Sequence, residues 1–115
     1  MSPPDLAQAV PIASDADFDR WLTVHGGTER EVVVAIYKKA SGKQTVTLDA
    51  LQETALCHGW IDSLGMRIDD ERWAIRFGPR RAGSNWSAKN RRSARRLLQA
   101  GRMTPTGIAA LPDDL

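Results

Sequence analysis

The chain has one cysteine, Cys57, among its 115 residues, so no internal disulfide forms and nothing demands an oxidising compartment. No apolar run approaches the roughly 20 residues that cross a bilayer, and no membrane insertion is expected. The start, Met1-Ser2-Pro3-Pro4-Asp5, lacks the basic segment and apolar stretch of a secretory signal, so the chain as given is expected in the cytoplasm. Repeats and low-complexity tracts are absent. The two histidines, His25 and His58, have no clustered cysteine or acid at metal-ligand spacing, so no metal and no other cofactor is expected. Cys57 and His58 are neighbours, but consecutive helical side chains diverge, which makes a poor thiolate–imidazole pair. Cys57 therefore reads as a core residue.

Acid is missing from one long stretch. Residues 72–112 carry ten Lys/Arg and no Asp or Glu, whereas residues 1–71 carry six Lys/Arg and twelve Asp/Glu. The overall net charge of +2 thus hides −6 (6 − 12) beside +10, the balance being Asp113 and Asp114. A basic segment of this kind attracts phosphates or acidic partners, or it folds back on the acidic half and is neutralised within the domain. Both readings stay open on the sequence. With 42% hydrophobic and 26% charged residues, the composition is that of one globular domain.

Residues 1–13 hold Pro3, Pro4 and Pro11 and read as a flexible N-terminal arm with a short amphipathic piece around 6–10. Ser14 caps a helix over 16–25, with Phe18, Trp21, Leu22 and His25 at helical spacing and Gly26-Gly27 as its stop. Residues 31–39 are apolar on both alternating faces and rich in β-branched side chains, as a central strand requires. After the Ser41-Gly42-Lys43 turn, Thr47 caps a second helix whose Leu48, Leu51, Ala55 and Leu56 form an inward stripe ending at Gly59.

From Trp60 to Phe77 the period becomes two, and residues 69–71 read as a turn, which gives a β-hairpin. The expected register sets Ile68 against Trp73, Met66 against Ile75, Leu64 against Phe77 and Asp62 beside Pro79, with Gly65 opposite Arg76. Ser87 opens a long helix to about residue 100, with Asn90, Ala94, Leu97 and Leu98 inward and Arg91, Arg92, Arg95 and Arg96 around the rest. Thr104-Pro105 starts a short helix through 111. The expected fold is one small α+β domain over residues 14–111, an antiparallel sheet with a hairpin and helices packed on one face, followed by a tail at 112–115.

Within this frame, tryptophans stand beside acid, arginine and hydroxyl groups in turn-like sequence. Trp60 and Trp86 offer flat surfaces for stacking, or plugs for the core. Asp62 and Ser63 emerge from a glycine turn next to Arg76 and Arg80, where the carboxylate either orients an arginine fork for an anion or forms a structural Asp62–Arg80 ion pair. Ser84-Asn85-Trp86-Ser87 leads into the last helix, and Ser87 as its cap makes a local anion site with Arg80, Arg81 and Lys89, or simply a capped helix start. Asn90 lies one turn on. One carboxylate without a second acid gives little basis for general acid–base chemistry.

Gly59-Trp60-Ile61-Asp62-Ser63, Asp69-Asp70-Glu71-Arg72, Arg76-Phe77, Pro79-Arg80, Ser84-Asn85-Trp86-Ser87 and Gly101-Arg102-Met103-Thr104-Pro105 resemble motifs of the YdeI/OmpD-associated family, also called bacteriocin-protection proteins. Ile36-Tyr37-Lys38-Lys39 and Ser41-Gly42-Lys43 match as well, and the resemblance spans about residues 14–111. It implies an association with bacteriocin tolerance or an outer-membrane porin, with no settled reaction or ligand. The expected function is therefore a module that binds a small anionic ligand or a protein partner through Trp60, Asp62, Ser63, Arg76, Arg80, Ser84, Asn85, Trp86, Ser87 and Asn90. Two other classes stay open. One is a nucleic-acid binder using the basic 89–102 helix with Trp86 as a stacking platform; the other is an enzyme using Asp62 with Arg76 and Arg80.

Overall fold

The run of β-branched residues at Val32–Tyr37 becomes the centre of a four-stranded sheet in the computed structural model, which describes residues 6–81 and 83–115. In chain order the elements are β1 (Val10–Pro11), α1 (Asp15–His25), β2 (Val32–Tyr37), α2 (Leu48–Cys57), β3 (Trp60–Arg67), β4 (Arg72–Pro79), α3 (Ala88–Gln99) and α4 (Pro105–Ala109). The sheet order is β1-β2-β4-β3. β2–β4 and β4–β3 are antiparallel, as expected, but β1 joins β2 in parallel, so the sheet is mixed. The supposed arm thus enters the fold: Val10 and Pro11 pair with Val34 and Ala35, and Ile12 is buried. Residues 1–5 lie outside the described residues.

Alternation along the strands separates two faces. Val32, Val34 and Ile36 of β2 meet Ile75 and Phe77 of β4 and Trp60 of β3, and α1 and α2 cover them with Phe18, Leu22, Leu51 and Ala55. The Phe18 and Phe77 rings tilt against one another at 4.9 Å. A second cluster joins Leu56 and Cys57 of α2 to Ala94 and Leu97 of α3, with Trp86, Met103, Leu111 and Leu115 packed around it. α2 therefore belongs to both cores. Its C-terminal His58 is buried and satisfied by a 2.7 Å hydrogen bond between Nε2 and Asp19 Oδ1 of α1. The residues read as a tail also dock, since Leu115 packs on the second cluster and Asp114 pairs with Arg91. Leu48 and Leu98, placed in inward stripes by their spacing, are 44% and 42% exposed.

The hairpin register differs from the expected one. Arg72 O accepts from Ile68 N at 3.1 Å and Asp69 N at 3.4 Å, which draws the turn one residue tighter. Gly65 then lies opposite Ile75 and Met66 opposite Ala74, so Met66 moves to the face away from α1 and α2. A bulge at Ser63 restores the parity beyond it and returns Asp62 and Trp60 to the helix side, against Phe77 and Pro79. The turn is organised by Asp69, whose Oδ1 accepts from Glu71 N (2.9 Å) and Arg72 N (2.8 Å) and whose Oδ2 accepts from Arg72 Nε (2.9 Å).

α4 is joined closely to the end of α2. Cys57 O accepts from Thr104 N (2.9 Å) and Thr104 Oγ1 (2.8 Å), and Thr104 Oγ1 accepts from Gly107 N at 3.0 Å. A Cβ on Gly107 would lie 2.0 Å from Cys57 O. Gly107→Ala is accordingly expected to lower stability by about 3 kcal/mol, the upper range for overpacking, measured by urea unfolding.

The Asp69 bonds hold its carboxyl below the ordinary range, led by the Arg72 side chain and then the Glu71 backbone. A carboxyl depressed by folding contributes stability above its unfolded value of about 3.9, and this is lost as pH falls through the folded value. The melting temperature of Asp69→Asn should therefore lie below wild type at pH 7, with the gap closing in scans taken below the ordinary carboxylate range.

Candidate functional site

Where β4 ends at Pro79 the chain is pinned: Arg80 N donates to Gly59 O at 2.8 Å. Gly59 adopts the left-handed conformation (φ +78), and an added Cβ would crowd Ala110 Cβ at 3.1 Å and Thr106 O at 3.2 Å. A turn closed by Ser84 N donating to Arg81 O (3.1 Å) follows, with Gly83 at φ +74. Trp86 is half-buried against the second core cluster. Ser87 then caps α3, its Oγ accepting from Asn90 N at 3.1 Å.

This path fixes one unusual side chain. The Arg80 guanidinium carbon sits 3.8 Å from the centre of the Trp86 ring, a stacked cation–π geometry. Its Nε and Nη1 are buried and have no hydrogen-bond partner. Burial pushes this guanidinium below its ordinary value, with the Asp62 charge opposing, yet an arginine stays protonated at any physiological pH. Arg80 is thus a partly desolvated cation without a direct anionic partner among the described residues.

A cleft of about 470 Å³ opens beside it, at the β3–β4 end of the sheet. Four arginines line it, Arg30, Arg76, Arg80 and Arg81, against one acid, Glu31. Arg76 is only 8% exposed; its Nε donates to Ser63 Oγ at 3.2 Å and lies 4.0 Å from Glu31 Oε2. Ser63 takes this position because it follows Asp62 in the strand and so faces the other way. Ser84 lines the cleft from the following turn. A second cleft of about 670 Å³ shares Arg80, Arg81 and Ser84 and is bordered by Trp86, Asp113 and Asp114.

The residues singled out by sequence divide accordingly. Ser63, Arg76, Arg80 and Ser84 come together at the first cleft, and Trp86 backs Arg80 from the second. Trp60 lies in the core, 2% exposed, edge-on to Trp21 at 5.9 Å. Asp62 points to the helix side of the sheet, where Oδ2 accepts from Gln52 Nε2 at 3.3 Å. It makes no ion pair with Arg80 among the described residues. Asn85 is exposed and lines neither cleft, and Asn90 borders a crevice of about 120 Å³ between α2 and α3 with Asp49, Gln52 and Lys89. Arg30 and Glu31 were missed. They precede β2, and only the β2–β4 pairing, with Val32 opposite Phe77, brings them to the cleft.

The basic helix is largely engaged by the acidic half of the chain. Lys89 pairs with Asp49, Arg96 and Arg102 with Glu53, and Arg91 with Asp114. Among the described residues Arg92 and Arg95 carry no ion pair. Cys57 is buried, its thiol pushed up chiefly by desolvation, which leaves little thiolate for chemistry. No group of three metal-binding side chains occurs among the described residues, and no helix there is long and apolar enough to cross a membrane.

Residues 10–110 match the model of the family described as Domain of unknown function (DUF8412), and the chain belongs to that family. No curated protein and no solved structure matches it.

Because its buried nitrogens make no hydrogen bonds, Arg80 gives the isolated fold little beyond contact with Trp86. Arg80→Met keeps an adaptable apolar stem over the ring and removes a desolvated charge. Its unfolding free energy in urea is expected within about 1 kcal/mol of wild type. A larger loss would make Arg80 a structural residue.

Proposed function

We propose that this DUF8412 protein is an anion-binding module, whose ligand places a phosphate or carboxylate group in the cleft between Arg76, Arg80 and Arg81. The observation that carries this reading is the Arg80 guanidinium, partly desolvated and without an ion pair among the described residues, at the wall of a cleft where four arginines face one glutamate. Positive charge held by low-dielectric walls focuses its field into the cleft. Arginine forks suit bidentate binding of planar or tetrahedral oxyanions. Ser63 and Ser84 add hydroxyls at the rim. The residues lining the cleft include no histidine, and their one carboxylate, Glu31, faces Arg76, which supports binding over acid–base chemistry. The motif resemblance to the YdeI/OmpD-associated family would set such a module in bacteriocin or stress tolerance.

A thermal-shift titration with inorganic phosphate, pyrophosphate and citrate, at constant ionic strength, tests this reading. An anion at one hundred times its Kd adds about 2.7 kcal/mol, a rise on the order of 10 °C for a domain of this size. The rise is expected for at least one of the three and is expected to vanish in Arg80→Met. No shift with any of them, or an equal shift in the variant, would overturn the proposal.

A further inference from the structure

The two edges of the sheet are treated differently. On one side β1 is two residues long and includes Pro11, both devices that blunt an edge against pairing. On the other, β3 is eight residues long and has no proline, and among the described residues no strand lies beyond it. The helices cover only its start. Trp60 is buried and Asp62 meets α2, whereas Ser63, Leu64, Gly65 and Arg67 are exposed.

The bulge at Ser63 gives this free edge a self-complementary pattern. Because Ser63 and Leu64 together oppose Arg76, Asp62 and Arg67 both fall on the helix side of the sheet, two ladder steps either side of Gly65. Leu64 and Met66, one step either side, share the opposite face with Ala74, Val33 and Ala35. Gly65 itself has no side chain, and the Trp73 ring lies over it, with Nε1 3.0 Å from where a Cβ would be.

We propose that β3 pairs antiparallel with β3 of a second copy about a two-fold axis through Gly65, joining two sheets into one of eight strands. An isologous contact of this kind repeats each pair twice. Asp62 of each copy meets Arg67 of the other, Leu64 meets Met66, and glycine meets glycine at the axis. The Asp62 Oδ1 and the several donors of Arg67 allow this alongside the existing bonds to Gln52 and Asp70. Opposite-charge and apolar cross-strand pairs favour this register, and a slip of one residue would set Asp62 against Met66. The offset of Asp62 from Arg67 along the strand separates the helices of the two copies. The partner then covers Leu64 and Trp73, each 37% exposed in the single chain. This contact is independent of the anion cleft.

Size-exclusion chromatography with light scattering reads the outcome, with circular dichroism and thermal melting confirming that each variant is folded. Wild type is expected at twice the 12.7 kDa of one chain. Arg67→Glu sets acid against Asp62, Met66→Lys places charge in the apolar pair, and both are expected at the mass of one chain. The double variant Asp62→Arg with Arg67→Glu exchanges the two charges and should restore the dimer. Wild type at the mass of one chain up to about 1 mM, where even an association of roughly −4 kcal/mol is visible, would overturn the proposal. So would a dimer that survives both single variants.

Discussion

A partly desolvated guanidinium, two of whose nitrogens are buried without a hydrogen-bond partner among the described residues, is the constraint on which the arrangement of this domain turns. Arg80 cannot move back along the chain, because its N–H is bonded to Gly59 O. Gly59 is itself held in a left-handed conformation against α4. The guanidinium stacks on Trp86, whose ring is seated on the core between α2 and α3. Leaving buried N–H groups unpaired costs about 1–3 kcal/mol each, while a desolvated cation–π contact returns about 2 kcal/mol. On the proposed reading, an anion supplies the partner that the isolated fold does not. Such a local sacrifice of stability is common where a protein binds something.

The charge polarity of the chain is resolved in the same geometry. Most of the cations on and after α3 fold back onto Asp49, Glu53 and Asp114. At exposed positions such pairs add little stability, but they disperse the positive field of the helix. Arg80 and Arg81 belong to the same basic segment and carry no ion pair among the described residues, while Glu31 in their cleft faces Arg76. Within this segment, positive charge without an ion pair among the described residues therefore remains in two places, at Arg80 and Arg81 by the end of the β3–β4 hairpin and at Arg92 and Arg95 of α3.

Much of the architecture was legible because local signals agreed with the fold. Ser14, Thr47 and Ser87 cap the helices their positions indicate, Thr104-Pro105 begins the short last helix, and Val32–Tyr37 is the central strand its β-branching indicates. What escaped depends on long-range pairing. Two residues of β1 carry no periodicity, and only the parallel bond to β2 makes them a strand. The hairpin register hung on hydrogen bonds in the turn and a bulge that alternation does not reveal. The candidate site is divided by simple alternation: Asp62 and Ser63 are adjacent in the strand, so one side chain meets the helices and the other meets Arg76. Arg80 and Trp86 were legible as aromatic and cation in one loop, but their stacking and desolvation required both cores to be in place.

The most direct test of this account is the nuclear magnetic resonance signal of the Arg80 Nε–H group, assigned by its loss in Arg80→Met and followed while phosphate or pyrophosphate is added. A buried, unpaired Nε–H should exchange with water far more slowly than that of exposed Arg81, and its resonance should move and saturate as the cleft fills. An Arg80 signal that exchanges as fast as that of Arg81, and that stays still throughout the titration, would contradict the claim that a trapped cation organises this site.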